Sequence, residues 1–348
     1  MPGAHKGLGV ASLFVLVAAL LGACGGESGN GDRAGKGADL EDAGSASEAE
    51  SVARFRAFVA LESENRLAIV DGPPWGLVRK VPVPSGPHNV AADPGGRYVA
   101  VSSPPAGRVT ILDSRGTVTA RAPAGPGAHD VDFTAGGGLW VSAEDSSRIV
   151  RLEVPSGRPA GSRSTSGPPH DLAVSPDGRE LWVTVDGDSA VEVRGAGSGV
   201  LLARPRLGPA PHDVEIAPGG RQVWFSNWSS PLLTVASRTR RKRLGELIAG
   251  GEPHHFSFGA GWLWASDNAA GELLQIDPRS RRIRGRTRVG PQPHHVAVAG
   301  SQILVAVHGS GRLAVVSRRG HLVHRLALGA GPHGIDAIQL QGSNAGHP

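Results

Sequence analysis

The chain has 348 residues, of which 39% are apolar, with a net charge of +5 and an isoelectric point near 10.1. Its single cysteine excludes a disulfide framework, so stability has to come from a buried core. The basic balance admits nucleic acid, anionic lipid and anionic polymer as partners, and 51 glycines with 27 prolines fit an all-β chain of short strands and turns.

The first 23 residues read as an export address. Lys6 supplies a short basic region, and Leu8 to Leu21 is an apolar run too short to span a bilayer comfortably. The run ends Leu21-Gly22-Ala23-Cys24, which resembles a bacterial lipobox. That resemblance implies cleavage before Cys24, lipidation of its thiol and residence on the extracytoplasmic face of a bacterial cell membrane. An ordinary secretory signal with an incidental cysteine is the alternative. Residues 24–53 form a Gly/Ser/Ala/acid-rich linker that cannot bury enough apolar area to offset its chain entropy. As a flexible tether it reaches about 30 Å r.m.s., enough to hold a folded domain clear of the lipid surface.

From residue 54 to 340 the chain repeats. Pro-His returns at His88, His129, His170, His212, His254, His294 and His333, with Ala128 replacing the proline once. The intervals are 41, 41, 42, 42, 40 and 39 residues, a period that signals a repeat architecture. One unit shows four strands: Ala128 to Phe133, Gly138 to Ser142, Arg148 to Glu153, and a short fourth strand near Arg163, with turn residues between them. Four antiparallel strands per period make a propeller blade. Trp140, Trp182, Trp224 and Trp264 recur in four second strands and are expected to pack between blades. Three strand-like runs precede the first Pro-His, and a single run follows the last. The C-terminal strand is therefore expected to complete an N-terminal three, closing a seven-bladed β-propeller without open sheet edges. Residues 341–348 read as a disordered tail.

Gly167 to Val185, Gly-Pro-Pro-His-Asp-Leu-Ala-Val-Ser-Pro-Asp-Gly-Arg-Glu-Leu-Trp-Val-Thr-Val, resembles the YVTN, surface-layer-type propeller repeat. The resemblance covers residues 54–340 and implies a scaffold used for several purposes. Gly136 to Val141 with Arg148-Ile149 is also similar to repeats of the streptogramin B lyases, which use a divalent ion held by glutamates beside a histidine base. No Glu-x-His pair occurs in any second strand, so the catalytic residues of that family have no counterpart here. The chain also carries no Cys-x-x-Cys-His, Walker loop, Gly-x-Ser-x-Gly elbow or His-Glu-x-x-His.

Charge divides between the two faces. Glu62, Glu64, Glu144, Asp145, Asp186, Asp188 and Asp267 fall in turns on the face where the first strands begin, here the top. Arginines at 238, 240, 241, 243, 279, 281, 282, 284, 286, 288, 318 and 319, with Lys242, form a stripe at the bottom and outer rim. Export and the lack of interleaved aromatics argue against nucleic acid. Anionic lipid or wall polymer is the expected partner of the stripe, with a merely solvated rim as the alternative.

The repeated histidines are expected to share a strand face with Val131, Phe133 and their equivalents and to act as scaffold. The following position reads Asn89, Asp130, Asp171, Asp213, His255, His295, Gly334 and is expected on the opposite face. Asp130, Asp171, Asp213, His255 and His295 then form an arc of oxygen and nitrogen donors around one end of the channel. Three roles stay open for this arc: holding a divalent metal ion, binding another small-molecule or protein ligand, or satisfying backbone donors. The sequence thus points to a lipid-anchored, non-enzymatic ligand- or protein-binding scaffold. The competing reading is a metal-dependent lyase or hydrolase with its site at the top mouth.

Overall fold

The computed structural model describes residues 53–341; Cys24, the linker and the C-terminal tail lie outside them. Strand propensity and turn chemistry combine as the period requires. Seven four-stranded antiparallel sheets follow one another, and Pro332–Gln339 pairs with Phe55–Leu61 to complete the sheet formed with Arg66–Gly72 and Gly76–Pro82. Blades one to six are counted from the first Pro-His, and this closing sheet is blade seven. The inner strands Val90–Ala92, Ala128–Phe133, Pro169–Val174, Pro211–Ile216, Pro253–Gly259, Pro293–Ala299 and Pro332–Gln339 neighbour one another around a central channel.

The core lies between blades, with one apolar cluster at each of the seven interfaces. Trp182 of blade three packs with Val214, Val223 and Phe225 of blade four, and Trp224 packs with Phe256 and Leu263 of blade five. All four repeated tryptophans are fully buried, as their periodicity predicts. Each indole N–H finds an acceptor; that of Trp140 donates to the Ala196 carbonyl at 2.7 Å.

Every inner strand carries an irregularity at the same step. In blade four Pro211 faces Asn227 and Val214 faces Phe225, so His212 and Asp213 together oppose the single residue Ser226. The same two-against-one bulge sets His129-Asp130 against Ser142, His170-Asp171 against Thr184, His254-His255 against Ser266, and His294-His295 against Ala306. A bulge breaks the ladder and re-aims its side chains. The opposing hydroxyl replaces the lost bond. Ser142 Oγ accepts from Asp130 N–H at 2.8 Å and donates to the His170 carbonyl of the next blade at 2.6 Å; Thr184 does the same for Asp171 and His212 at 2.9 and 2.7 Å. One side chain therefore repairs its own blade and ties it to its neighbour.

Ring closure has a steric requirement at Gly334. A Cβ there would stand 2.2 Å from the His88 carbonyl oxygen, and Gly334 N–H donates to that oxygen at 2.9 Å. Gly334→Ala is expected to destabilise the fold by ~1–3 kcal/mol. Gly136→Ala, on an open turn with no atom within 4 Å of the new methyl, is expected to leave stability unchanged. Paired thermal melts check the contrast.

Candidate functional site

The bulge overturns one expectation from strand alternation. In a regular strand His254 and His255 would point to opposite faces; here their ring centroids are 4.5 Å apart. The repeated histidines leave the apolar face of Val131 and Phe133 and gather at the mouth of the channel. They form a closed ring of seven imidazoles. Successive centroids are 4.3 Å apart for His88–His129, 4.1 Å for His129–His170, 4.4 Å for His170–His212, and 4.5 Å for both His212–His254 and His254–His294. His294–His333 at 4.0 Å and His333–His88 at 3.7 Å complete it. Burial and repulsion from neighbouring imidazoles disfavour protonation of His88 and His254, each lowered to about 4.

Asn89, Asp130, Asp171, Asp213, His255 and His295 line a channel cavity of about 300 Å³. The free edge of each inner strand leaves backbone donors facing this channel, and carboxylates of the preceding blade satisfy several of them. Asp130 Oδ2 accepts from Leu172 N–H at 2.8 Å, and Asp213 Oδ2 from Phe256 N–H at 3.0 Å. A second tier, absent from the expected arc, repeats the device: Asp132 Oδ2 accepts from Val174 N–H at 2.7 Å, and Asp336 Oδ2 from Ala92 N–H at 2.8 Å. Gly334 contributes no side chain, so the arc stays open at blade seven.

Asp171 departs from this pattern. Its counterpart donor, Val214 N–H, is taken by Asp213 Oδ1 at 2.8 Å. Asp171 is 2% exposed, and among the described residues neither carboxylate oxygen accepts from a nitrogen or hydroxyl donor; the Asp213 carboxyl beside it is close enough to share a proton. Oδ1 lies 3.7 Å from His129 Nδ1, Oδ2 lies 3.8 Å from His255 Nδ1, and that nitrogen lies 3.6 Å from Asp213 Oδ2. His129 Nδ1, His254 Nδ1, His294 Nδ1, His295 Nδ1 and His333 Nδ1 are also buried without hydrogen-bond partners among the described residues. Native proteins bury few such groups. Burial, reinforced by Asp130 and Asp213, holds the Asp171 carboxyl well above the usual range.

Sequence reading missed three contributors. The Ser/Thr series stands two residues after each repeated tryptophan, a spacing that was visible. Glu144 and Asp186 were placed on the top face, and the structure brings both to His170 Nδ1, at 2.5 and 3.9 Å. Trp228 carried no periodic signal; its ring packs on His212 at 3.9 Å and its Nε1 donates to Asp186 Oδ1 at 3.0 Å. Asp267, expected in a top turn, is fully buried and accepts from Glu252 N–H at 2.9 Å. On the rim, Arg238 and Arg241 pair with Glu180, Arg243 with Glu246, Arg284 with Asp277, and Arg286 with Glu272. Arg240, Lys242, Arg282, Arg288, Arg318 and Arg319 are exposed and make no ion pair among the described residues.

These features define a seven-bladed β-propeller with an imidazole-and-carboxylate mouth. Neither protein-family models nor curated proteins match the sequence. Solved structures share its fold. A functionally unknown protein from Desulfotomaculum acetoxidans DSM 771 has a TM-score of 0.71 at 12% identity, covering 80% of this chain and 98% of that one. The Pseudomonas aeruginosa periplasmic gluconolactonase PpgL has a TM-score of 0.68 at 17% identity, covering 82% and 99%. Apo AztD from Citrobacter koseri has a TM-score of 0.62 at 15% identity, covering 83% and 99%. Identities this low establish a common fold and nothing finer.

The buried charges give a pH signature. Burial raises Asp132 to about 7 and Asp213 to about 8, against about 3.9 in an unfolded chain. Their protonated forms stabilise the fold; that contribution is complete below about pH 4 and is lost as pH rises through 7 to 8. His88 and His254 act oppositely: their neutral forms stabilise the fold above about pH 6.5, and this is lost as pH falls towards 4. Above pH 6.5 only the carboxyl trend remains. Chelator-treated protein is expected to lose melting temperature from about pH 6.5 to 8.5. Asp132→Asn, which keeps an acceptor for Val174 N–H, is expected to flatten that decline in a series of thermal melts.

Proposed function

We propose that this protein is a lipid-anchored extracytoplasmic propeller that binds a divalent transition-metal ion at its top mouth, with Asp171, Asp213 and His255 as the principal ligands. The observation that carries the reading is Asp171, a buried carboxyl with no nitrogen or hydroxyl donor among the described residues, facing the equally unpartnered His129 Nδ1 and, at 3.8 Å, His255 Nδ1. An uncompensated buried charge costs several kcal/mol, on the order of 3–5. A cation removes that cost, and so does a proton in the metal-free state.

The spacing favours an ion over direct pairing. Ligand atoms of Asp171, Asp213 and His255 lie within 4.8 Å of one another, and the carboxylate–imidazole separations of 3.6 and 3.8 Å exceed a hydrogen bond. Two ligands of a tetrahedral zinc ion, with bonds of about 2.0–2.1 Å, stand ~3.3 Å apart. A small contraction brings the trio to that geometry. Mixed nitrogen and oxygen donors suit Zn²⁺ and its neighbours better than Mg²⁺ or Ca²⁺. Binding displaces protons from the carboxyl groups, so affinity rises with pH.

A catalytic reading has one observation in its favour: the same residues open onto a cavity of about 300 Å³, room for a small substrate beside an ion. Hydrolysis of gluconolactone by zinc-loaded but not chelated protein would support it, by analogy with the propeller gluconolactonase of similar fold. The anchor rests on Cys24, and the exposed arginines of the rim suit contact with an anionic lipid surface or wall polymer.

Titration with Zn²⁺ at pH 7.5 is expected to show stoichiometric binding with a rise in melting temperature. Asp171→Asn combined with His255→Gln is expected to weaken that binding by more than about 100-fold while the apo fold is retained. A wild type that binds no divalent ion contradicts the reading. Cys24→Ser is expected to move the protein from the membrane to the soluble fraction, checked by fractionation after a salt wash; full retention on membranes contradicts the anchor.

A further inference from the structure

The mouth holds more than one trio of ligand atoms, and the trios overlap in order. Glu144, His170 and Asp186 form the outermost, with the two carboxylates half-buried and His170 buried; His129, His170 and Asp171 form the next; Asp171, Asp213 and His255 form the innermost. Within each trio the ligand atoms lie within 4.8 Å of one another. The first and second share His170, and the second and third share Asp171. Side-chain exposure falls along the series, from 35% and 22% at Asp186 and Glu144 to 3% and 11% at Asp171 and Asp213.

Resting on the metal-binding reading above, we infer that Glu144, His170 and Asp186 form a second, outer cation site through which the ion enters and leaves the inner one. Asp171, Asp213 and His255 are buried where they line the channel cavity, so an ion arriving from the histidine side without protein ligands would cross a desolvated zone bare. Overlapping trios remove that barrier. An ion on Glu144, His170 and Asp186 keeps His170 while it exchanges the two carboxylates for His129 and Asp171. It then keeps Asp171 while it exchanges the imidazoles for Asp213 and His255. His129 Nδ1 spans the first exchange, 3.8 Å from Glu144 Oε1 and 3.7 Å from Asp171 Oδ1. On entry the ion replaces the proton of the His170 Nδ1···Glu144 Oε1 hydrogen bond, which leaves to solvent; each later step exchanges one set of metal–ligand bonds for another and keeps at least one carboxylate on the ion. The outer and inner trios share no residue, so both can be filled at saturation. Trp228 reports on the outer one, because its indole donates to Asp186 and packs against His212 and His170.

The protein is therefore a carrier of an exchangeable ion, with a partly exposed loading site above a buried holding site. The test uses full-length, detergent-solubilised protein with Zn²⁺ as the probe. Wild type is expected to bind two ions, one tight and one weak, with a Trp228-dependent fluorescence change during loading that Trp228→Phe abolishes. Glu144→Gln combined with Asp186→Asn is expected to bind one ion. Its loading by Zn²⁺ and its extraction by a chelator should slow together, each by about tenfold, because a path alters both directions equally. The apo melting temperature of the variant controls for folding. A variant that still binds two ions, or that loads and unloads as fast as wild type, overturns the inference and leaves the inner site standing. A wild type that binds no Zn²⁺ overturns both.

Discussion

In each blade the inner strand spends two residues, a histidine and its successor, opposite one residue of the second strand. A regular strand would send the histidine into the inter-blade core and its successor into the channel. The bulge turns both towards the channel mouth and leaves a broken ladder that a Ser or Thr hydroxyl repairs in five of the seven blades, from Ser102 to Ser266. The hydroxyl is held on both sides at Ser142 and Thr184, where it also donates to the next blade's carbonyl. The histidines and the residues after them therefore sit on the strands of the scaffold, while Glu144 and Asp186 reach the mouth from the turns.

Closing seven such strands into a ring creates a second problem, since each inner strand exposes an edge to the channel. Carboxylates solve it by reaching into the following blade, as Asp130 does for Leu172 and Asp336 for Ala92. The solution concentrates acid in a desolvated space, where burial pushes each carboxyl up. Asp171 is the member whose donor is already taken, so it has the chemistry of the series without its structural task. A group freed from the scaffold in the middle of an imidazole ring is available for an ion.

The fold was legible because a period near 40 with Pro-His punctuation leaves few architectures, and because the three strands before the first Pro-His and the single strand after the last complete one another. The residues of the arc were legible too, since the position after the histidine varies where its neighbours do not. Their sidedness was not, because alternation is a property of regular strands and the bulge shows only when two strands are paired. The freedom of Asp171 was also hidden. Asp130, Asp171 and Asp213 read alike in the repeat, and their difference depends on whether Asp213 turns its Oδ1 to its neighbouring Val214 N–H. Likewise Glu144 and His170 are 26 residues apart, in successive blades, and only closure of the ring brings their side chains together.

The central claim is that Asp171 is unpartnered because it is a metal ligand. Crystals of zinc-loaded protein, with diffraction recorded on both sides of the zinc absorption edge, test it most directly. The account predicts an anomalous peak bonded to Asp171, Asp213 and His255. A map in which the zinc peaks lie only on surface histidines, with Asp171 hydrogen-bonded to ordered water, would contradict it.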